Sequence, residues 1–121
     1  MLSTPSQAKL STCHPDLQRL VLAVAAEAPI IVLCGHRGEA DQDAAYRSGN
    51  SKLPWPKSRH NSTPSQAVDL APLPLDWGNR VAFQRLASLV LIKAKLLHIP
   101  ITWGGSWKFQ DMPHYELYRR P

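Results

Sequence analysis

Two segments of this chain carry residue types that hold metal ions: Ser58-Arg59-His60 leading on to Asp69, and, farther along, Asp111-Met112-Pro113-His114. Imidazole nitrogens and carboxylate oxygens are the donors of catalytic zinc, which usually takes three from the protein and keeps a fourth position for water. His60, Asp69 and His114 fill three such places. Asp111 then remains beside the site, as a carboxylate able to take a proton during hydrolysis. Each residue alone has an ordinary alternative. His60 reads as a solvated loop histidine, Asp69 as a turn cap or a partner of Arg37, and His114 as a plain strand residue. Their conjunction decides, because both clusters sit among Pro, Gly and Trp rather than in a polar tail. The remaining histidines have simpler roles: His14 at a helix start, His98 at the negative end of a helix dipole, and His36 at a strand end that can line a cleft.

The elements that must position these groups follow from periodicity and punctuation. Ser11 or Thr12 starts a helix with Pro15 in its first turn, and Leu17, Leu20, Val21, Val24 and Ala25 recur at helical spacing up to Pro29. The β-branched run Ile30 to Cys34, bounded by Pro29 and Gly35, is expected as a buried strand that delivers Gly35-His36-Arg37-Gly38 at its end. Glu39 to Arg47 reads as a short helix with Ala40, Ala44, Ala45 and Tyr46 inward, closed by Gly49-Asn50. Ser48 to Ser65 is rich in Pro, Ser, Lys and Asn and reads as a long irregular loop, a length usually tied to function or disorder. Ala67 to Ala71 is a short strand that sets Asp69 among apolar neighbours, where a carboxylate needs a partner. Arg80 to Leu97, started by Asp76 to Asn79, is the clearest helix. His98 to Trp103 and His114 to Leu117 complete the strands around a Gly104-Gly105 turn. Helices mixed with short strands, without regular alternation, argue for an α+β fold: a short antiparallel sheet flanked by helices, with the metal site in a cleft.

At 121 residues and 44% apolar content the chain is expected to form one domain over residues 1–121. A formal charge of +5 and a pI near 9.6 favour an anionic partner, which nucleic acid, a membrane surface or an acidic wall polymer would satisfy. The basic residues form no run longer than two, so no nucleic-acid stripe is visible and nucleic acid is not the expected partner. Cys13 and Cys34 lack metal-motif spacing and read as small buried hydrophobes of a reduced protein. No signal-peptide core is seen near Met1, and the Leu20 to Ala26 run is too short for a bilayer, so no stable membrane insertion is expected.

The runs GHRGEADQ (Gly35 to Gln42), Arg47 to Leu53, SRHNSTPSQAVDLAP (Ser58 to Pro72) and WGGSWKFQDMPHYEL (Trp103 to Leu117) resemble the M15 zinc peptidases. Within that family they are most similar to phage endolysins that act as L-alanyl-D-glutamate endopeptidases, relatives of the D-alanyl-D-alanine carboxypeptidases. The resemblance covers residues from about 30 to 117. It implies one Zn2+ held by His60, Asp69 and His114, with Asp111 as the catalytic carboxylate and Arg37 as an anchor for a substrate carboxylate or for the oxyanion. The chain departs from the family's common SxHxxGxAxD element: the interval from His60 to Asp69 is longer, with Pro64-Ser65 where a Gly is expected. Trp103, Trp107 and Tyr115 are candidates for a cleft wall against a stem peptide.

The implied activity is cleavage of the L-Ala–D-Glu bond of peptidoglycan for host lysis, by a monomer made in the host cytoplasm that reaches the wall through a separate membrane pore protein. Two other readings share the ligands: a D-alanyl-D-alanine carboxypeptidase, and a non-catalytic zinc module that binds cell wall. Asp111 favours an enzyme over a binding module, and an Asp at that position favours the endopeptidase, since several carboxypeptidases of the family carry Glu there.

Overall fold

The structure, a computed structural model, describes residues 1–118; residues 119–121, among them Arg119 and Arg120, lie outside it. Four helices surround one antiparallel sheet: α1 (Thr4–Leu10), α2 (Pro15–Ala25), β1 (Ile30–Cys34), α3 (Glu39–Ser48), β2 (Ala67–Pro72), α4 (Arg80–Leu96), β3 (Ile101–Trp103) and β4 (His114–Leu117). Short 3-10 turns span Arg59–Asn61 and Gly104–Ser106. The sheet order is β1-β2-β4-β3, and every pairing is antiparallel. This is the small α+β domain expected from the sequence. No helix of the described residues is long and apolar enough to cross a membrane.

The core forms where α2 and α4 pack on each other and α4 on the sheet. Leu17, Leu20, Val21 and Val24 of α2 are fully buried, and Leu86, Ala87, Val90 and Ala94 of α4 join Val32, Val68, Leu70, Tyr115 and Leu117 of the strands in one cluster. Each fully buried Leu or Val contributes roughly 1.5–3 kcal/mol, so Leu20→Ala in this layer would cost about 2–5 kcal/mol. α1 has no counterpart in the sequence reading, because only Ser6 and Leu10 of its polar sequence are buried. It forms on a Ser3 cap, and the Ser6 hydroxyl accepts a hydrogen bond from the Val32 amide at 3.0 Å, which ties it to β1.

α3 corrects another expectation. Ala40, Ala44 and Tyr46 face outward, and the one buried residue of the helix is Gln42. Its amide nitrogen donates to Leu53 O at 2.6 Å and Ser51 Oγ at 2.9 Å, while its amide oxygen accepts from Arg37 and Asn61, each at 3.1 Å. A fully paired amide can thus replace an apolar stripe. β3 begins at Ile101, so His98 to Pro100 stay outside the sheet.

Candidate metal centre

Strand alternation sorts the sheet into two faces. On β4, Tyr115 and Leu117 point into the core while His114 and Glu116 point the other way, and on β2 the core side is Val68 and Leu70, leaving Asp69 opposite. Asp69 and His114 are register partners across β2 and β4. On β1 the register slips between Val32, paired with Leu70, and Cys34, paired with Asp69, so Leu33 is an extra residue. Such a bulge re-aims the next side chain. Cys34, Asp69 and His114 therefore form a row across three strands.

His60 reaches this row from the 3-10 turn after α3. Ser58 caps the turn, accepting from the His60 amide at 3.2 Å, and Asn61 Oδ1 accepts from the Ser58 amide at 3.0 Å. The His60 ring is 2% exposed. Its Nδ1–H donates to Gly35 O at 2.7 Å, which turns Nε2 toward the sheet as the atom available to a metal once deprotonated. Gly35 must be glycine here, since a Cβ would collide with Lys9 O and Thr12 Oγ1. The long segment between His60 and Asp69 is spanned by Ser65, which bridges to Cys13: its amide donates to Thr12 O at 2.9 Å and its carbonyl accepts from the His14 amide at 2.8 Å.

Three donor atoms converge. His60 Nε2 lies 3.1 Å from Asp69 Oδ1, His114 Nδ1 lies 3.1 Å from the same oxygen, and the two nitrogens are 3.2 Å apart. Tetrahedral zinc with bonds of about 2.0–2.2 Å spaces its ligand atoms by roughly 3.3–3.6 Å, so this triangle fits an ion after a shift of a few tenths of an ångström. Cys34 with His60 and Asp69 makes a second conceivable triad, its ligand atoms within 4.8 Å of one another. The His60-Asp69-His114 set is the tighter of the two and gathers the donor types of catalytic zinc.

Outer partners orient every member. His114 Nε2–H donates to Glu116 Oε1 at 2.8 Å, which directs the Nδ1 lone pair into the triangle, and Glu116 Oε2 is paired with Arg59 Nε at 2.8 Å. Arg37 Nη2 lies 3.7 Å from Asp69 Oδ2, the oxygen turned away from the triangle, and Arg37 is itself held by Gln42. Asp111 approaches without joining: its Oδ2 is 3.9 Å from His114 Nδ1. The 3-10 turn at Gly104 sets it there, with the Asp111 amide donating to Gly104 O at 2.9 Å and Trp103 Nε1–H donating to Met112 O at 2.7 Å.

The electrostatics match the geometry. Burial opposes charge on Asp69, but hydrogen bonds from His114 and His60 outweigh it and hold the carboxyl well below the usual carboxylate range. Burial likewise disfavours the charged imidazoles, yet the Asp69 hydrogen bond and charge push His60 up to about 10 and His114 up to about 9 in the metal-free protein. Asp111 is raised, first by burial and then by the charge of Asp69. On Cys34 burial acts upward, but His60 and then Arg37 outweigh it and lower the thiol.

The triangle opens into a cleft of about 1000 Å³ lined by Arg37, His60, Asp69, Asp111 and His114 on its floor and by Trp77, Phe83 and Trp107 among its walls. Of the expected aromatic wall, Trp107 is there, its ring 5.2 Å from that of His114. Tyr115 and Trp103 are not. Tyr115 is 1% exposed in the core because it alternates with His114, and Trp103 packs against that core while its indole N–H braces the loop of Asp111. Sequence reasoning missed Glu116, Gln42 and the placing of Cys34. Glu116 had one available signal, its i+2 relation to His114 on the same strand face.

Comparisons with known proteins bear on the same cleft. Nothing among curated proteins matches the chain. The structure is similar to the crystal structure of the Serratia marcescens L-Ala D-Glu endopeptidase ChiX, with a TM-score of 0.80 and 29% sequence identity over 98% of this chain and 90% of that one. The family model described as phage L-alanyl-D-glutamate peptidase matches residues 1–120. With that match over nearly its whole length, the chain belongs to the phage L-alanyl-D-glutamate peptidase family.

Proposed function

We propose that this peptidoglycan hydrolase is a zinc-dependent endopeptidase, that it cuts the L-Ala–D-Glu bond of the stem peptide, and that residues 1–121 are one catalytic domain. The family and the likeness to ChiX support the bond. The observation that carries the metal is the triangle of His60 Nε2, Asp69 Oδ1 and His114 Nδ1, with edges of 3.1–3.2 Å and both histidine tautomers fixed from behind. A zinc ion held by these three would act as a Lewis acid on the scissile carbonyl and on the attacking water.

The chain's own groups do the rest. Asp111 takes the proton of the attacking water and delivers it to the departing D-Glu amine. Burial and the charge of Asp69 raise its pKa, the direction that favours a carboxylate holding the proton before passing it on. Arg37 keeps Asp69 on a single ligating oxygen and is assigned to the developing oxyanion. Trp107 packs the stem peptide beside His114. The net charge of +5 would hold the protein near an anionic wall. The protein is assigned as a monomer made in the host cytoplasm that meets the wall at lysis through a separate membrane pore protein.

The test is digestion of purified peptidoglycan followed by mass spectrometry of the new termini. Free L-Ala carboxyl and D-Glu amine are expected. Release of D-Ala alone would move the protein to the carboxypeptidases, and wall binding without cleavage would leave a zinc-containing binding module.

A further inference from the structure

Five cationic side chains line the cleft, and their partners differ. Arg37 and Arg59 are paired with Asp69 and Glu116, and Lys52 sits over the Phe109 ring, 4.4 Å from its centroid. Arg80 has a neutral partner: its Nη2 donates to Gln110 Oε1 at 2.7 Å, and among the described residues it forms no ion pair. Gln110 immediately precedes Asp111, and Arg80, Gln110 and Asp111 all line the same cleft. Arg80 is also the first residue of α4, whose backbone is fixed by the Asn79 cap on the Ala82 amide at 3.1 Å. The guanidinium is thus presented from a rigid element.

The substrate supplies a matching anion. In a γ-linked D-Glu the free α-carboxylate hangs on the same carbon as the scissile nitrogen, two bonds away from it. We propose that Arg80 is the receptor for that α-carboxylate, trading the Gln110 amide oxygen for a charge-assisted, forked pair. This rests on the L-Ala–D-Glu reading above and adds a specificity: the cleft requires a free carboxylate and discriminates against its amide. Lys108, the remaining cation of the cleft, lacks the planar fork and the rigid mounting.

The experiment compares two synthetic stem peptides identical except that the D-Glu α-carboxyl is free in one and a carboxamide in the other. kcat/KM is measured for the zinc-loaded wild type, Arg80→Ala and Arg80→Lys. A hydrogen bond to a charged group supports a preference of roughly 10- to 100-fold for the carboxylate in the wild type. Arg80→Ala should bring the ratio to about one, with the loss falling on the carboxylate substrate, and Arg80→Lys should give an intermediate ratio. Since Arg80 is exposed, both variants should melt with the wild type. Equal cleavage of both peptides by the wild type, or an undiminished preference in Arg80→Ala, would overturn the assignment while leaving the endopeptidase intact. Cleavage of neither peptide at the L-Ala–D-Glu bond would instead remove the reading on which it rests.

Discussion

Replacing Glu116 by Gln tests whether the ligand triangle depends on the groups behind it. In the native arrangement the two carboxylate oxygens serve two donors, Oε1 accepting from His114 Nε2–H and Oε2 from Arg59 Nε, both at 2.8 Å. A glutamine offers one acceptor oxygen in place of two, and its NH2 turns a donor toward whichever partner it faces. Either His114 loses its acceptor and its ring is free to rotate, or Arg59 is left against an amide. The carboxylate charge that raises the basicity of the ligating Nδ1 is lost in both cases. Removing such an outer partner typically weakens metal binding by about 10- to 100-fold, equivalent to roughly 1.4–2.7 kcal/mol. With the Glu116 side chain only 19% exposed, solvent cannot easily substitute, so the upper half of that range is expected. The assay is competition for zinc against a chromophoric chelator, with circular dichroism confirming an unchanged fold. A Kd within twofold of wild type would refute the idea that Glu116 sets the tautomer and basicity of His114.

Three further outcomes follow from the same geometry. Asp111→Asn should keep stoichiometric metal, since Asp111 stands outside the triangle, and lose about 10²–10⁴-fold in turnover; near-normal turnover would remove it from the mechanism. Zinc uptake near pH 7 should release protons: with His60 up to about 10 and His114 up to about 9, the metal-free imidazoles are protonated there and must give up the protons on Nε2 and Nδ1 to ligate. Roughly one to two protons per ion are expected, and affinity should rise with pH toward those values. Calorimetry in buffers of different ionisation heat reads this, and proton-neutral uptake would contradict it. Gly104→Ala places a Cβ 2.6 Å from Asp111 O and 3.1 Å from the Cβ atoms of Asp111 and His114, so it should lower the melting temperature by several degrees, at roughly 1–3 kcal/mol for overpacking, and depress turnover through Asp111. A variant indistinguishable from wild type in both measurements would show that the loop yields freely.

The donor residues were legible because their chemistry is intrinsic to residue type: His60, Asp69, Asp111 and His114 stand out from the sequence wherever the chain folds, and the structure gathers them at one point. Helices α2 and α4 were equally legible, since their apolar positions repeat at the helical period. What stayed hidden depends on long-range packing. The bulge at Leu33 arises from pairing with β2 and has no local signature in the Ile30 to Cys34 run, so the turning of Cys34 toward Asp69 could not be read from it. Tyr115 and Trp103 look like cleft aromatics from composition, but one-residue alternation sends Tyr115 to the opposite face from His114. α1 was not read and the inward face of α3 was misread, although α3 itself was expected as a helix, because their buried polar contacts are the hydroxyl of Ser6 and the amide of Gln42 rather than apolar stripes.

The most direct test of the central claim is a titration of zinc into metal-stripped protein while hydrolysis of a peptide containing the L-Ala–D-Glu bond is followed. Activity should rise linearly from near zero and break at one equivalent in the wild type, and stay at baseline throughout in His60→Ala. Full hydrolysis by the stripped protein, or a normal titration in His60→Ala, would contradict a catalytic metal held by His60, Asp69 and His114.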